Sequence, residues 1–437
     1  MELRITSEEE YLPHQVEGIK WILERPGCIL ADDMGLGKTI QAIGVANQIR
    51  AKSILIICPS SVKEQWHREM DHWFLDLPYI NEVYSDTADK NADVLIMNYR
   101  ITAQAFPNNY KVLRQRIWDL VICDEAHMLK NSDTNRVQDL FGRKGIKCRK
   151  ILLMTGTPIQ NRPKELWSLA EIVQRKLARS WEQYAKRYCG AFWEVNRFGP
   201  KFNTDGATNL GELRQKCEPW LLRREKKILP GLPALTKEVI YLNRHDAKEV
   251  ESVREMMDLR DPKVEMNMAR LRKLTGLLKV PMICHLLSDF SKRSLVFSHH
   301  KEVIARIEKT LSGKREIFKV IGGQTKKQRS LNLDGFKNSG DDSLMLISTQ
   351  SGGTGLNLQH CHHGIFCELP WTPALLDQAI SRMHRHKQKH PVHIQLAVLD
   401  GTIDAPMVRA LTRKKNIIRD VIELAPEINN YFKETSK

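Results

Sequence analysis

The stretch Cys28-Ile29-Leu30-Ala31-Asp32-Asp33-Met34-Gly35-Leu36-Gly37-Lys38-Thr39-Ile40 combines a short apolar run, a turn with two glycines and the start of a helix-like pattern. Glycines at positions 35 and 37 allow backbone N–H groups to close around phosphate oxygens. Lys38 would place its charge between the outer phosphates of a nucleoside triphosphate, and Thr39 would offer its hydroxyl to magnesium. The stretch therefore predicts a phosphate-binding loop between a strand and a helix.

A second stretch, Leu120-Val121-Ile122-Cys123-Asp124-Glu125-Ala126-His127, is an apolar run that ends in two acids. It matters because the full phosphate-loop pattern begins with Gly, whereas this chain has Asp32 there, so the loop alone would also fit a Gly-rich turn with an exposed lysine. A strand that ends in acids is the arrangement that holds magnesium opposite a phosphate loop. Together the two stretches predict a site for a nucleoside triphosphate and Mg²⁺.

The composition sets limits on the class of protein. A chain of 437 residues with 42% apolar residues exceeds the size of a single core, so we expect two main domains. Nine cysteines without a C-x-x-C pair favour a reducing compartment. We find neither a secretory signal nor an apolar run near the ~18 residues of a membrane span, and we expect a soluble protein without a membrane partner. A net charge of +16 favours a polyanionic partner, first of all nucleic acid.

Apolar strand-like runs alternate with helix-like stretches in two regions, which predicts two parallel, doubly wound α/β lobes. The runs of the first region are Ile54–Cys58, Val94–Met97, Leu120–Cys123 and Ile151–Met154, and its later helix-like stretches lie near Ser61–Trp73, Tyr110–Trp118 and Thr134–Phe141. The runs of the second region are Leu295–Ser298, Ile317–Ile321, Leu344–Ser348, Gly364–Leu369 and Val392–Val398.

Between these regions, from about residue 162 to residue 292, charged helix-like segments predict a helical insertion without strand alternation. We expect the first lobe at 1–235, with a helical protrusion at about 162–220. The second lobe is expected at 236–437, with a helical segment at about 246–290. The basic run Leu221–Pro233 suits a crossing between domains, a solvated helix face or a nucleic-acid contact.

Polar residues follow each predicted strand of the first lobe. Any one of these groups fits an ordinary βα turn, but together with the phosphate loop they predict a functional edge of the sheet. In the second lobe a helix over 378–385 would place Arg382 and Arg385 on one face, where both could reach one anion or could be two surface arginines.

Five stretches resemble, in order and spacing, the motifs of the Swi/Snf-type ATPases of helicase superfamily two. They are 32–39, 124–131, 153–161, 348–358, and 370–373 leading into 378–388. The family's phosphate loop also lacks the first Gly, which accounts for Asp32. The stretch 270–281 is similar to the annealing-helicase-like branch. The chain departs from the family at Asp33, which replaces Glu, and at Lys387, which replaces Gly before Gln388.

The resemblance implies two RecA-like lobes, ATP with Mg²⁺, and a role for each matching residue. Gln15 would read the adenine, Asp124 and Thr39 would hold magnesium, Glu125 would orient the attacking water, and Arg382 and Arg385 would stabilise the transition state from the second lobe. The nucleotide would be held by Asp33, Gly35, Leu36, Gly37, Lys38, Thr39 and Gly355. The DNA backbone would be contacted by Ser60, Ser61, Asn98, Arg100, Lys130, Thr354 and Trp371.

We therefore expect a monomeric, DNA-dependent ATPase that translocates along double-stranded DNA without sequence preference or processive strand separation. A strand-separating DNA or RNA helicase is the alternative, but it should carry a wedge hairpin or accessory domain, and the sequence shows no clear candidate. An alternative of another class is a nucleotide-gated DNA clamp with negligible turnover. The chain shows no chromatin-reading module after the second lobe, which favours a cytoplasmic prokaryotic or viral motor; a eukaryotic protein would be nuclear.

Overall fold

A computed structural model of the chain describes residues 4, 10–76, 78–100, 104–132, 134–159, 162–174, 176–196, 199–242, 264–289, 292–349 and 356–412. The described chain forms two compact units that divide between residues 229 and 230. No helix in the described ranges is both long and apolar enough to span a membrane. Thr354 and Gly355, predicted for DNA and nucleotide binding, lie outside the described residues.

The strands of the first unit are β1 (Gly27–Leu30), β2 (Ile54–Cys58), β3 (Ile80–Glu82), β4 (Val94–Asn98), β5 (Ile117–Asp124), β6 (Lys147–Met154), β7 (Phe192–Asn196), β8 (Gly199–Asn203) and β9 (Leu221–Leu222). Seven of them form one sheet in the order β3-β4-β2-β5-β6-β1-β9, in which every neighbouring pair is parallel. Strands β7 and β8 form a separate antiparallel hairpin.

The helices of the first unit are α1 (Pro13–Leu23), α2 (Lys38–Gln48), α3 (Lys63–Trp73), α4 (Pro107–Gln115), α5 (Asn135–Phe141), α6 (Lys164–Ile172), α7 (Trp181–Tyr188) and α8 (Leu210–Cys217). They cover both faces of the sheet, which therefore contributes to two cores. Leu55 and Val121 point into one core, and their neighbours Ile56 and Ile122 point into the other. Because both faces are buried, these strands are continuous apolar runs in the sequence.

Two predictions for the first unit were wrong. The predicted helix at Tyr110–Trp118 ends at Gln115, and Arg116 is already extended, so Ile117 and Trp118 begin β5. The indole of Trp118 is buried and donates to the carbonyl oxygen of Leu113, 3.0 Å away. The predicted absence of strands after residue 162 also failed, because the hairpin and β9 lie there. The chain therefore does contain an exposed hairpin, for which the sequence showed no clear candidate.

The strands of the second unit are β10 (Leu235–Leu242), β11 (Ser294–Ser298), β12 (Glu316–Val320), β13 (Ser343–Ser348), β14 (His363–Phe366) and β15 (Val392–Leu399). Its helices include α9 (Val264–Asp289), α10 (Lys301–Leu311), α11 (Lys326–Asn338) and α12 (Pro373–Ile380). The six strands form a parallel sheet in the order β10-β15-β14-β11-β13-β12. Both units thus have the doubly wound parallel architecture that the alternation predicted.

Two predictions for the second unit were also wrong. Strand β10 was not predicted, because it occupies a sheet edge where the charged residues Lys237 and Glu238 are tolerated. The predicted helix over 378–385 ends at Ile380, so that Arg382 and Arg385 lie in the tight turns that follow. There the backbone N–H groups of Arg382 and Met383 donate to carbonyl groups three residues back.

Candidate nucleotide-binding site

The phosphate loop joins β1 to α2 and requires glycine at two positions. Gly35 and Gly37 have φ angles of 91° and 72°, in the left-handed region that glycine adopts without strain. Gly37 also precedes the first turn of α2, and a Cβ atom there would collide with the side-chain amide of Gln15. The loop therefore presents its backbone at a helix N-terminus, where anions are bound favourably.

Helix α1 packs its first turn against this loop. The side chain of Gln15 is buried, and its Oε1 accepts from the backbone N–H of Leu12 at 2.9 Å. Nε2 of the neighbouring His14 lies 3.0 Å from the carbonyl oxygen of Leu36. The predicted adenine-reading residue is thus fixed in direct contact with the phosphate loop.

Lys38 is the first residue of α2, and its ammonium lies over the loop. It donates to the carbonyl oxygens of Asp32 and Asp33, at 2.7 and 3.2 Å. Burial lowers the pKa of Lys38, while the nearby carboxylates, Glu125 first, oppose that shift. The charge of Lys38 is therefore held inside a cluster of acids at the carboxyl edge of the sheet.

Asp124 ends β5 and is held by donors on both carboxylate oxygens. Trp66 Nε1 donates to Oδ2 at 2.9 Å, and the backbone N–H of Glu125 donates to Oδ1 at 2.9 Å. The hydroxyl of Tyr99 donates to the backbone carbonyl of Asp124 at 2.6 Å. Burial, followed by the charge of Glu125, raises the pKa of Asp124. Such an oriented carboxylate is well suited to a cation.

Glu125 adopts a left-handed conformation, with φ of 53°. A non-glycine residue in that region stores about 1–3 kcal/mol of strain, and such strain is typical of functional sites. Its Oε2 lies 3.2 Å from Nδ1 of His127, which is also 3.4 Å from Oγ1 of Thr155. The Asp124–His127 stretch is thereby connected to the carboxyl end of β6.

The donor set fits a magnesium-bound triphosphate. Asp124 supplies a carboxylate and Thr39 a hydroxyl, both oxygen ligands of the kind that Mg²⁺ prefers. Gly156 packs closely against the loop, where a side chain would not fit, because a Cβ there would lie 2.8 Å from Cγ of Met34. Asp124 and Thr39 would hold the ion, which would supply positive charge to the phosphate oxygens.

Two arginines, whose role could not be decided from the sequence, bind the acids of the loop. Arg224 donates to both carboxylate oxygens of Asp32, at 3.0 and 2.5 Å, and to Gln41 Oε1 at 2.7 Å. Arg223 donates to Asp33 Oδ1 at 2.8 Å, and also to the carbonyl oxygens of Ala31 and Gly156 at 2.8 Å. Arg223 and Arg224 therefore do not form a solvated helix face, which was one interpretation of this basic run.

These contacts give the two unusual loop residues a structural role. Asp32 is fully buried, and an unpaired carboxylate there would be costly. Asp33 accepts from Arg223 and, through Oδ2, from the backbone N–H of Lys226 at 3.0 Å. Soon after Lys226 the chain enters the second unit, at Pro230. The phosphate loop and the connecting segment are therefore held together by paired charges.

The predicted DNA-contact residues of the first unit lie just beyond the carboxyl ends of their strands. Ser60 and Ser61 follow β2, and Arg100 follows β4; all three side chains are exposed. Asn98 is half-buried and accepts from the backbone N–H of Arg100 at 2.8 Å. Lys130 follows β5 and donates to Glu165 at 3.1 Å. The structure brings these residues to one edge.

In the second unit, Trp371 lies beside a buried polar cluster. The guanidinium of Arg272 is 5.4 Å from the centre of the Trp371 ring and donates to the carbonyl oxygen of Leu369. Glu368 accepts from the backbone N–H groups of His299 and His300 at 2.8 and 2.9 Å. Trp371 itself is 39% exposed, so it is not a core residue.

Gln388 organises the turn that contains Arg382 and Arg385. Its Nε2 donates to the carbonyl oxygens of Gln359, Cys361 and Met383, at 2.8, 3.2 and 3.1 Å. Lys387, at the position of the family's Gly, has a φ of 73°. The departure from the family therefore places a lysine in a conformation that glycine adopts more readily, without loss of the turn.

Sequence reasoning missed Trp66, Tyr99, Arg223 and Arg224. The two arginines stand in the basic run Leu221–Pro233, but nothing in the sequence pairs that run with Asp32, which is buried, and Asp33, which is half-buried. Trp66 and Tyr99 had no signal either, because each reaches Asp124 from a different connection of the sheet. Only the strand order places them there.

Comparisons with known proteins agree with this geometry. Residues 14–316 match the model of the SNF2-related domain, and residues 278–387 match the helicase conserved C-terminal domain. The resemblance to Swi/Snf-type ATPases is thereby confirmed.

Two curated relatives are similar over most of the chain. Human DNA annealing helicase and endonuclease ZRANB3 is 31% identical over 431 residues, which cover 93% of this chain and 40% of the relative. A Caenorhabditis elegans SWI/SNF-related matrix-associated actin-dependent regulator of chromatin subfamily A-like protein 1 homolog is 29% identical over 443 residues, 94% of this chain and 62% of the relative. The chain thus spans about half the length of these relatives. Both are animal proteins and do not support the expected prokaryotic or viral origin.

Among solved structures, the Sulfolobus solfataricus SWI2/SNF2 ATPase core in complex with dsDNA matches at a TM-score of 0.46 and 21% identity, over 96% of this chain and 98% of that chain. The SNF2-related model alone covers more than half of the present sequence. The chain therefore belongs to the SNF2-related family of ATP-hydrolysing, helicase-like enzymes.

Proposed function

We propose that this chain is a DNA-dependent ATPase that translocates along double-stranded DNA and remodels protein–DNA or branched DNA structures without processive strand separation. The observation that carries the proposal is the convergence of Lys38, Asp124 and Glu125 at one edge of the first sheet, where their charges influence one another. We propose functional lobes at 1–235 and 236–437, a monomeric state, and ATP with Mg²⁺ as the nucleotide.

In the proposed reaction the chain supplies position and charge rather than covalent chemistry. Lys38 and the loop N–H groups bind the phosphates, and Glu125 orients the attacking water. Arg223 and Arg224 act as positioning residues, because they fix the acids that precede the loop. Thr39 and Asp124 would hold magnesium.

Three further nucleotide roles belong to the same proposal. Gln15 would read the adenine. Arg382 and Arg385 would stabilise charge on the transferred phosphoryl group, and an arginine in that role is worth ~10³–10⁵ in rate. All three residues are partly or fully buried, as residues fixed for recognition should be.

DNA would be bound through its backbone. Ser60, Ser61, Asn98 and Arg100 are available at the carboxyl edge, while Lys130 would have to share its charge with Glu165. Hydroxyl, amide and guanidinium contacts to phosphates position a protein on DNA without reading its sequence. Trp371 would add an aromatic contact on the second unit. The net charge of +16 supports binding to a polyanion such as DNA.

One assay decides between this function and the alternatives: ATP turnover with duplex DNA, single-stranded DNA and RNA compared side by side. The proposal predicts that duplex DNA stimulates turnover most. Strongest stimulation by RNA, or efficient separation of a blunt duplex, would favour the strand-separating helicase. Tight nucleotide binding with negligible turnover under all conditions would favour the nucleotide-gated clamp.

A further inference from the structure

The hairpin of β7 and β8 presents an apolar face to solvent. Trp193 is paired with Phe202, and Val195 with Pro200, so that all four side chains lie on the same face. Trp193 is 65% exposed and Val195 is 86% exposed. The opposite face carries Phe192 and a polar pair in which Asn203 donates to Glu194 at 3.1 Å. A soluble hairpin would be expected to expose its polar face, so the apolar face indicates a binding surface.

The base of this hairpin is fixed to the first unit. The backbone N–H of Thr208 donates to the carbonyl oxygen of Tyr188 at 2.9 Å, and the backbone N–H of Gly190 donates to Oγ1 of Thr208 at 3.1 Å. Asp205 accepts from Lys164 at 2.9 Å and also pairs with Arg162. A two-stranded hairpin is marginally stable alone, and these contacts hold its root in place.

A groove of about 1180 Å³ adjoins the root of the hairpin. Thr204, directly after β8, lines this groove together with Lys130 and Asn131, which follow β5. The groove therefore connects the edge where we propose DNA binding with the base of the apolar hairpin face. Its walls also contain Trp167 and Trp181.

The charges and rings of the groove suit a single nucleic-acid strand. Lys176 and Arg179 line it, are exposed, and form no ion pair with any residue that the structure describes. Trp181 is 37% exposed, and its ring stacks on that of Tyr184 with centroids 5.9 Å apart. Exposed cations beside a supported aromatic ring are the elements by which proteins hold unpaired strands.

We infer that the groove and the apolar hairpin face bind an unpaired DNA strand where it leaves a duplex, an inference that rests on the proposed function. Lys176 and Arg179 contact phosphates of the unpaired strand, Trp181 stacks on one of its bases, and Trp193 stacks on a base at the junction. Duplex DNA cannot use these rings along its length, because its bases are enclosed in their own stack. The charged residues that line the groove are four cations, Lys130, Lys164, Lys176 and Arg179, and two acids, Glu165 and Glu171. This excess of positive charge, in a chain of net charge +16, favours a polyanion over a protein segment.

The first test removes the two cations without disturbing the core. Lys176→Ser/Arg179→Ser is compared with the control Lys52→Ser/Lys147→Ser, which removes two exposed lysines at the amino ends of β2 and β6. Fluorescence anisotropy gives affinities for a labelled blunt duplex and for the same duplex with a single-stranded thymidine arm. We expect wild-type protein and control to prefer the arm-bearing duplex. In the groove variant, the ratio of affinities for the arm-bearing and blunt duplexes should fall about tenfold. The slope of log affinity against log salt concentration, measured on the arm-bearing duplex, should become shallower by roughly 1.4, since two phosphate contacts disappear.

The second test addresses stacking at the hairpin. Trp193→Ala is compared with Trp193→Phe, which keeps an aromatic ring, and with Phe192→Ala, which removes an exposed ring from the opposite face. With 2-aminopurine at the junction, wild-type protein, Trp193→Phe and Phe192→Ala should change its fluorescence alike. Trp193→Ala should show no such fluorescence change, and its affinity ratio for arm-bearing over blunt duplex should be about tenfold lower than that of the wild type.

The result distinguishes this inference from the proposed function, because ATP turnover with blunt duplex is measured on the same proteins. The inference and the proposed function are both supported if all variants keep normal duplex-stimulated turnover and only the groove and Trp193→Ala variants lose the preference for the arm-bearing duplex. Equal affinity of the wild-type protein for blunt and arm-bearing duplexes, or variants that keep the preference, would overturn the inference alone. Absence of DNA-stimulated turnover in the wild-type protein would overturn the proposed function.

Discussion

Arg224 and Asp32 form a two-point ion pair across 192 residues of sequence, with donor–acceptor distances of 2.5 and 3.0 Å. Asp32 lies directly before the phosphate-loop turn, and Arg224 follows the last strand of the first sheet. Both side chains are largely buried. The ion pair therefore links the nucleotide site to the segment through which the chain leaves the first unit.

Breaking this pair from one side should be more harmful than removing both partners. Arg224→Ala leaves the buried Asp32 carboxylate uncompensated, and we expect the free energy of unfolding to fall by ~3–5 kcal/mol. The double variant Asp32→Asn/Arg224→Ala should recover part of that loss. Urea unfolding of the four proteins of the cycle measures the coupling. Additive effects of the two substitutions would show that the pair does not act as a unit.

An exposed ion pair provides the control. Arg68 pairs with Glu64 at 3.3 Å on α3, and both side chains are exposed, so Arg68→Ala should change stability by less than ~1 kcal/mol. A loss as large as that of Arg224→Ala would indicate that charge burial is not the cause.

Lys387 and Lys389 should respond oppositely to replacement by glycine. Lys387 is held at a φ of 73°, where a non-glycine residue is strained by ~1–2 kcal/mol, so Lys387→Gly should leave stability unchanged or raise it slightly. Lys389, an exposed neighbour without a positive φ, should lose ~0.5–1 kcal/mol as Lys389→Gly. Thermal unfolding distinguishes the two. Equal losses would mean that the turn relaxes away from the left-handed conformation.

Glu368 should make stability depend on acid pH. Burial alone would raise the pKa of this carboxyl, but hydrogen bonds from His300 and Ser298 outweigh it and hold the pKa at about 2, below the usual 4.5. Since the folded-state pKa is depressed, the contribution is present above pH 4.5 and is lost as the pH falls towards 2. It amounts to roughly 2–3 kcal/mol. The stability difference between wild-type protein and Glu368→Gln should therefore shrink from pH 5 to pH 3. A constant difference would contradict the role of the ionised form.

The phosphate loop and the Asp124–His127 stretch could be predicted from the sequence because each has a local pattern: glycines in a turn, and acids at the end of an apolar strand. The parallel sheets were predictable for the same reason, since strands such as β2 are apolar throughout when both faces are buried. Non-local contacts were not predictable. The pairing of Arg224 with Asp32 depends on β9 lying beside β1, and no spacing in the sequence indicates that neighbour.

The hairpin of β7 and β8 is a local structure that could still not be predicted from the sequence. Its strands do not belong to either large sheet, and their exposed residues lack the burial that makes a strand apolar on its inner face. A pattern method therefore finds only a charged, aromatic segment there. The turn after α12 was misjudged for a related reason: the sequence over 381–385 is compatible with a helix, and the buried hydrogen bonds of Gln388 determine the turn.

The most direct test of the account is ATP turnover by Glu125→Gln, measured beside Lys38→Ala with saturating duplex DNA. Glu125→Gln removes the water-orienting carboxylate but leaves Asp124 and Lys38 in place, so we expect ATP affinity near that of the wild type and a kcat at least ~100-fold lower. Lys38→Ala should weaken ATP binding and turnover together. Ordinary DNA-stimulated turnover by the Glu125→Gln protein would contradict the assignment of this edge as the hydrolytic site.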